Sequence, residues 1–234
     1  MGFFNRNILF WMFVFSFFTA NLAKAEGVAA NTFKRYTVKS AIIEYALSGA
    51  QTGTETVYID EWGKREARYT QADMTMMGQT IKSNRLTILD GEWIYAIDLD
   101  KKSGTKIKNP MFESLEATAD GDFTQIGVEM MQKMGGVKIG SEAIAGKPCD
   151  VWEIKDIGTK SWLWNTIPLK TEASMGDMSM ASTAVKVEEG ALIPQEKLEI
   201  PSDVQMSDSQ QFTQMMERMR EQEKNQEKGE GLAA

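Results

Sequence analysis

Methionines are the side chains in this sequence whose spacing could do chemistry. The chain of 234 residues contains 16 methionines. Most of them fall into four groups: Met74, Met76 and Met77; Met130, Met131 and Met134; Met175, Met178 and Met180; and Met215, Met216 and Met219. Thioethers line adaptable apolar surfaces that accept variable ligands. In exported proteins they also bind Cu(I), because this soft ion prefers sulfur. The methionine groups could therefore serve two kinds of binding: contact with apolar ligands or coordination of Cu(I).

Spacing separates the groups. The second and fourth recur at helical intervals on apolar stripes, so we interpret them as core or as the lining of a cavity. The third group has polar flanks and the spacing M-x-x-M-x-M, which makes Met175, Met178 and Met180 a candidate Cu(I) site. Packing at the mouth of a cavity and a loop without a role are the alternatives for these three residues.

Catalytic chemistry has little support in the sequence. There is no histidine, which excludes Ser-His and Cys-His catalysis and any histidine-based zinc site. Asp98 and Asp100 share a strand face, but beside Lys101 and Lys102 they indicate a solvated turn. Cys149 is the only cysteine, so an internal disulfide is excluded and the thiol is either buried or reactive. We therefore predict that the chain is not an enzyme.

The first 25 residues have the organisation of a cleaved signal peptide. Arg6 gives a basic start, Ile8 to Ala20 is an apolar run, and Ala23-Lys24-Ala25 has the A-x-A pattern of a cleavage site. We expect cleavage after Ala25, a flexible leader over residues 26–32, a periplasmic location and no transmembrane segment after cleavage. An uncleaved anchor is the alternative.

The charge of the mature chain restricts its partners. Cleavage lowers Lys plus Arg from 26 to 24 and leaves Asp plus Glu at 33, which gives a net charge of about −9. A protein this acidic is not expected to bind nucleic acid, and anionic lipid surfaces should repel it.

The stretch from Gly146 to Thr171 organises the predicted fold. It consists of two strands joined by a turn with hairpin chemistry. In the first strand the alternation places Trp152 on the face opposite Cys149. In the second strand Trp162 and Trp164 share one face. The stretch therefore predicts an antiparallel hairpin that carries three tryptophans.

The rest of the chain predicts one mainly β (α+β) domain over residues 33–205. Apolar residues recur with a period of two along most of it, as in Glu92–Leu99, where Trp93 and Tyr95 share a face. Residues 109–136 change to a helical period and form an insert. Further strands are expected over residues 169–173, 183–188 and 191–200, with a loop over 174–182. Residues 206–234 predict a C-terminal helix, opened by Ser207, and a disordered tail.

One part of the sequence resembles a known family. Residues Gly140 to Trp152 read GSEAIAGKPCDVW and precede a tryptophan strand and a Pro-Leu-Lys strand. This order resembles the second half of the LolA-like periplasmic proteins, in particular an uncharacterised branch with the pattern GxEx(I/V)xGKxCxVW. The resemblance covers most of the mature chain. It implies a curved antiparallel sheet that forms a half-barrel around a hydrophobic cavity, with a short helical lid.

Two features of the family have no counterpart in this sequence. The lipoprotein carriers begin the domain with a helix and hold an arginine-bearing latch, and neither has a matching position here. The resemblance therefore implies the fold and not the transport role. Whether the helical insert is a lid over a cavity or simply covers one sheet face stays open at this point.

These patterns together predict a periplasmic protein that binds a hydrophobic ligand in an apolar β cavity without catalysis. The ligand is expected to be an acyl chain, a lipid or a lipoprotein-like molecule, and an envelope protein is a further candidate partner. The candidate ligand-binding residues are Trp93, Tyr95, Met130, Met134, Trp152, Trp162 and Trp164. No cofactor is expected apart from Cu(I) at the methionine loop. A Cu(I)-binding envelope protein and a structural envelope protein acting through partner contacts are the alternatives.

Overall fold

A computed structural model describes residues 34–76, 79–109, 112, 124–176 and 178–208. The described strands are β1 (Ala41–Gly49), β2 (Gln51–Asp60), β3 (Arg65–Met76), β4 (Gln79–Asp90), β5 (Trp93–Asp98), β6 (Ser103–Lys108), β7 (Val137–Ile144), β8 (Lys147–Ile154), β9 (Thr159–Trp164), β10 (Ile167–Met175), β11 (Met178–Glu189) and β12 (Gln205–Asp208). One α-helix, α1 (Thr124–Lys133), precedes β7. The predicted signal peptide and leader lie outside the described residues.

All twelve described strands belong to one sheet, in the order β12-β6-β5-β4-β3-β2-β1-β11-β10-β9-β8-β7. Two antiparallel meanders, β1–β6 and β7–β11, meet where β1 pairs with β11. β7 contacts β11 although three strands separate them in the sheet, so the second meander is strongly curled. The predicted mainly β fold with a curved, open sheet is confirmed.

The face enclosed by this curl, here called the inner face, carries the larger core. Trp162 and Trp164 on β9 pack there with apolar residues of β1, β2, β8 and β10, such as Ile43, Val57 and Leu169. Each of these side chains is buried. Burial of apolar surface at about 25 cal/mol per Å² is the main force that holds the two meanders together.

The opposite, outer face carries a second core on β3, β4 and β5. Leu86, Ile88 and Ile97 are buried there, and the chain that follows β11 covers them with Leu198. The sequence predicted a strand over residues 191–200, and this prediction is wrong. Gln195–Leu198 forms a 3-10 helix instead, because the flanking prolines lack the N–H that a strand ladder needs.

Two other predictions need correction. The expected loop over residues 174–182 is mostly strand, since β10 reaches Met175 and β11 begins at Met178. Gly176 lies between them with φ of 57°, a conformation that tight hairpin turns require. Ser207 does not begin a helix but lies in β12, where its hydroxyl donates to the Gly104 carbonyl (3.1 Å). The remainder of the predicted C-terminal helix lies outside the described residues.

The helical insert connects opposite edges of the sheet. It leaves β6 near one edge, where the Asn109 side-chain amide donates to the Gly91 carbonyl (3.0 Å), and it enters β7 at the other edge. α1 ends where the sequence predicted, because Gly135 follows with φ of 77° and the Gly136 N–H donates to the Met131 carbonyl (2.8 Å). No described helix is long and apolar enough to cross a membrane.

Candidate functional site

Hairpin geometry brings members of three methionine groups to one end of the sheet. The turns that follow β1, β3, β8 and β10 all lie at this end, and so does the first residue of β7. We call the side chains gathered there the methionine rim, which comprises Met74, Ile81, Met134, Val137, Ile157, Met178 and Met180. Because the strands run antiparallel, residues far apart in sequence become neighbours along one arc.

Backbone hydrogen bonds between the turns make this arc continuous. The Thr75 N–H donates to the Ala50 carbonyl (3.2 Å), and the Ala50 N–H donates to the Ser179 carbonyl (2.8 Å). The Ser174 N–H donates to the Gly158 carbonyl (2.9 Å), which joins the turn after β8 to the end of β10. The rim is therefore a fixed edge of the sheet.

The methionine rim holds five of the eight large apolar side chains that are exposed among the described residues. Ile81, Met134, Val137, Ile157 and Met178 are between 38% and 61% exposed. The other large apolar side chains exposed within the described residues are Ile139, Val185 and Leu192. Single exposed apolar residues are ordinary, but a concentration of them at one edge indicates a binding surface.

The strand register places part of the rim on the inner face. Ile81 pairs with Met74, and Met74 pairs with Gln51. On the other side Gly49 pairs with Met180. These five positions therefore lie side by side across β4, β3, β2, β1 and β11. Gln51 and Gly49 lie between Met74 and Met180, and the backbone of Ser179 closes over Gly49, where an added Cβ would lie 2.2 Å from the Ser179 carbonyl oxygen.

Beside Met74 and Gly49, the inner face carries a polar side chain. Gln51 is 7% exposed, and its Oε1 has no hydrogen-bond partner. Further along the same strand, the buried Glu55 carboxylate accepts hydrogen bonds from the Thr70 hydroxyl (2.8 Å) and the Arg68 guanidinium (3.1 Å). On this part of the inner face, the apolar surface is therefore limited to the rim itself.

Beyond Glu55, a buried ionic cluster occupies the inner face of the first meander. Glu66 is paired with both Arg35 and Arg68, and the Tyr36 hydroxyl donates to it (3.0 Å). Burial alone raises the pKa of the Glu66 carboxyl, but the two guanidinium groups and these hydrogen bonds together lower it. Burial raises the pKa of Tyr36 to about 12. The cluster is a buried network of ion pairs and hydrogen bonds, and the Glu66 carboxylate stays ionised.

The end of the sheet opposite the rim is closed by contacts, and we call it the sealed end. The backbone N–H groups of Arg35 and Tyr36 both donate to the Trp62 carbonyl (2.9 and 3.0 Å). Lys147 bonds Glu189 across the curl (2.6 Å).

The candidate tryptophans do not form one wall. Trp162 and Trp164 lie on the inner face and are about as buried as core residues, with 5% and 6% of their surface exposed. Trp152 alternates with Val151 along β8 and therefore lies on the outer face. The predicted alternation within the hairpin is confirmed. The expectation that these tryptophans bind a ligand stays a prediction.

Other candidate residues divide between the outer face and the insert. Trp93 and Tyr95 lie on the outer face of β5, half-buried, with the Lys106 ammonium 3.7 Å from the centre of the Trp93 ring. Met130 lies in α1, and Met134 lies just after it, at the rim. Of the predicted ligand-binding residues, Met134 is the one that the structure places in the methionine rim.

The described surface also has two open depressions. One, of about 460 Å³, is lined mostly by polar groups such as Gln71, Asp73 and Lys82. The other, of about 340 Å³, lies beside Cys149 and Trp164. Burial raises the pKa of the Cys149 thiol, which makes it unreactive. Among the described residues, no three His, Cys, Asp or Glu side chains gather closely enough to hold a metal.

Comparison with known proteins gives distant structural similarity. No protein-family model and no curated protein matches the chain. An uncharacterised conserved protein from Thermus thermophilus is similar over 74% of this chain and 91% of its own, with 8% identity and a TM-score of 0.49. Pseudomonas aeruginosa MucB, solved with MucA, is similar over 72% and 58%, with 14% identity and a TM-score of 0.42. Mycobacterium bovis LprF is similar over 72% and 91%, with 10% identity and a TM-score of 0.32. Because these TM-scores are below 0.5, the fold assignment rests on the strand order of the sheet itself.

Proposed function

We propose that this chain is an exported, non-catalytic binding protein of the periplasm whose ligand is hydrophobic: an acyl chain, a lipid or a lipoprotein-like molecule. The methionine rim is the observation that carries the proposal. It gathers five of the eight exposed large apolar side chains of the described residues at one edge of the sheet. The signal-peptide pattern of the first 25 residues supports export.

Methionine suits such a ligand for a physical reason. Its side chain is unbranched and polarisable, so it adapts to apolar partners of variable shape. Burial of apolar ligand surface at the rim contributes roughly 25 cal/mol for each Å² removed from water.

The described end of the insert reaches the rim. α1 is followed by Met134, a rim residue, shortly before β7 begins at Val137. Whether the insert is a lid or a cover over one sheet face stays a prediction, because residues 113–123 lie outside the described residues.

The proposal is tested with an apolar dye, 1-N-phenylnaphthylamine, and its displacement by palmitate. Two aspartates are introduced into the rim by Ile81→Asp with Met178→Asp. The matched control introduces two aspartates at apolar residues of similar or greater exposure away from the rim, by Val185→Asp with Leu192→Asp. Charged groups in an apolar contact must be desolvated, so we expect the rim variant to lose about tenfold or more in dye affinity.

The control should bind dye and palmitate as the unmodified protein does. Thermal unfolding of all three proteins shows whether the substitutions disturb the fold. Equal losses in both variants, or dye that binds none of the three proteins, would overturn the proposal.

A further inference from the structure

One buried polar atom beside the methionine rim has no hydrogen-bond partner within the described part of the chain. Gln51, the first residue of β2, is 7% exposed, and its side-chain Oε1 accepts no hydrogen bond. A buried acceptor without a partner destabilises a fold, so native proteins keep few of them. The Gln51 oxygen therefore indicates a place where a bound molecule supplies the donor.

The neighbours of Gln51 explain why the protein itself supplies no donor at this point. Met74 is paired directly with Gln51, and Ala72 lies two residues from Met74 on the same face. Gly53 occupies the next position on that face along β2. None of these three residues carries an N–H or O–H group in its side chain. Further along the face, the Thr70 hydroxyl donates to a buried carboxylate instead (2.8 Å).

The path from solvent to Gln51 passes over flexible apolar side chains. The backbone before Gln51 is fixed, because the Ala50 N–H donates to the Ser179 carbonyl (2.8 Å). Met74, in contrast, is partly exposed, and its three rotatable bonds allow it to move aside. Ile81 is paired with Met74 and is 56% exposed. An apolar chain that rests on Ile81 and Met74 can therefore bring a polar head group to the Gln51 oxygen.

The chemistry of this oxygen restricts the head group. A side-chain amide oxygen accepts hydrogen bonds and cannot donate them. An ionised carboxylate is an acceptor as well, so a fatty-acid anion would leave the Gln51 oxygen unpaired. The net charge of the whole chain is −7, which further disfavours an anion. A neutral head group with a hydroxyl or an amide N–H meets both conditions.

We propose that Gln51 anchors the head group of the ligand and selects neutral lipids that carry a hydrogen-bond donor beside the acyl chain, such as monoacylglycerols and fatty amides, over fatty-acid anions. This inference rests on the proposed function and adds the class of ligand to it. The rim contacts the acyl chain, and the Gln51 oxygen accepts one hydrogen bond from the head group. Burial makes this bond selective, because a ligand without a donor leaves a desolvated acceptor unpaired.

The experiment measures how four ligands with the same acyl chain displace 1-N-phenylnaphthylamine from the purified protein. Monolauroylglycerol has hydroxyl donors and lauramide has an N–H donor, whereas methyl laurate is neutral without a donor and laurate is an anion without a donor. The test variant, Gln51→Met, keeps an unbranched side chain and removes the acceptor. The matched control, Gln71→Met, makes the same change at an exposed glutamine of β3.

In the unmodified protein and the control, we expect monolauroylglycerol, lauramide or both to displace the dye at about tenfold lower concentration than methyl laurate and laurate. Gln51→Met should lose this preference and bind methyl laurate as before. Its melting temperature should stay equal or rise, because the variant no longer buries an unpaired oxygen. The order of the two donor ligands distinguishes a hydroxyl from an amide head group.

The contrary results separate this inference from the proposed function. Equal affinities for the four ligands, or a preference for laurate, would overturn the inference and assign the Gln51 oxygen to a buried water, while hydrophobic binding stands. A donor preference that persists in Gln51→Met would also overturn it. Equal losses for all ligands together with a lower melting temperature would show that Gln51 only supports the fold. If the dye binds to none of the three proteins, the proposed function is rejected and the inference falls with it.

Discussion

The two ends of the sheet contrast sharply in how their side chains are used. At the sealed end the N-terminal segment is tied to Trp62 by backbone hydrogen bonds, and Lys147 closes the curl against Glu189. At the methionine rim, apolar side chains such as Ile81 and Met178 stay exposed to solvent. The sealed end satisfies its groups within the chain, whereas the rim leaves apolar surface available for a partner. We therefore expect stability to depend mainly on the sealed end and the proposed binding to depend on the rim.

The largest effect should come from replacing an aromatic residue near the sealed end. Trp164→Ala removes a ring that is 6% exposed and should lower the free energy of unfolding by about 3–5 kcal/mol. The matched change at the rim, Ile81→Ala, removes a side chain that is 56% exposed and should cost less than about 1 kcal/mol. Urea unfolding of both variants measures the difference. Similar losses would contradict the division between the ends.

An intermediate effect is expected at Glu66, in the buried ionic cluster. Its pKa is lowered in the fold, so its contribution is present above the unfolded value of about 4.5 and is lost as the pH falls through the folded value. Glu66→Gln should cost about 1.5–3 kcal/mol at neutral pH and should flatten the fall in stability on acidification. Urea midpoints measured from neutral to acidic pH give the comparison. Unchanged acid dependence in the variant would show that other carboxylates control it.

The smallest of the three effects concerns Tyr36 at alkaline pH. Its pKa is raised from 10.0 to about 12 by burial, so stability is complete below pH 10 and falls as the unfolded chain loses this proton above pH 10. Tyr36→Phe removes one hydrogen bond to Glu66 and should cost about 1 kcal/mol at neutral pH. The variant should lose less stability than the unmodified protein between pH 10 and 12. An identical alkaline profile would assign that loss to another group.

Local patterns in the sequence predicted the strands of the fold well. The alternation of Trp152 with Cys149, and the common face of Trp162 and Trp164, appear in the structure as predicted, because strand periodicity is a local property. The glycine that ends α1 was also recognised. The strand predicted over residues 191–200 is wrong. The apolar spacing there resembles a strand, but the prolines and the packing over the outer face prevent pairing.

The candidate site was harder to predict because it depends on pairing between distant strands. Each methionine group is visible in the sequence, but its meeting with the others depends on which turns share one end of the sheet. A signal was present, since Met74, Ile157 and Met178 all lie close to predicted turns. The sequence also contains a sign of the ionic cluster. Glu66 and Arg68 occupy alternate positions of one strand, as core residues do, but the sequence alone does not reveal that those charges are buried.

The order of strands in the sheet has a consequence for how the chain folds. Within each meander, every strand pairs with a neighbour that is close in sequence, and such local pairing forms quickly. The two meanders are joined by β1 and β11, where Ala41 pairs with Glu189. Closing a loop of that length carries a large entropic cost before any contact compensates for it. We therefore expect the two meanders to form first and the β1–β11 seam to set the rate at which the native sheet is completed.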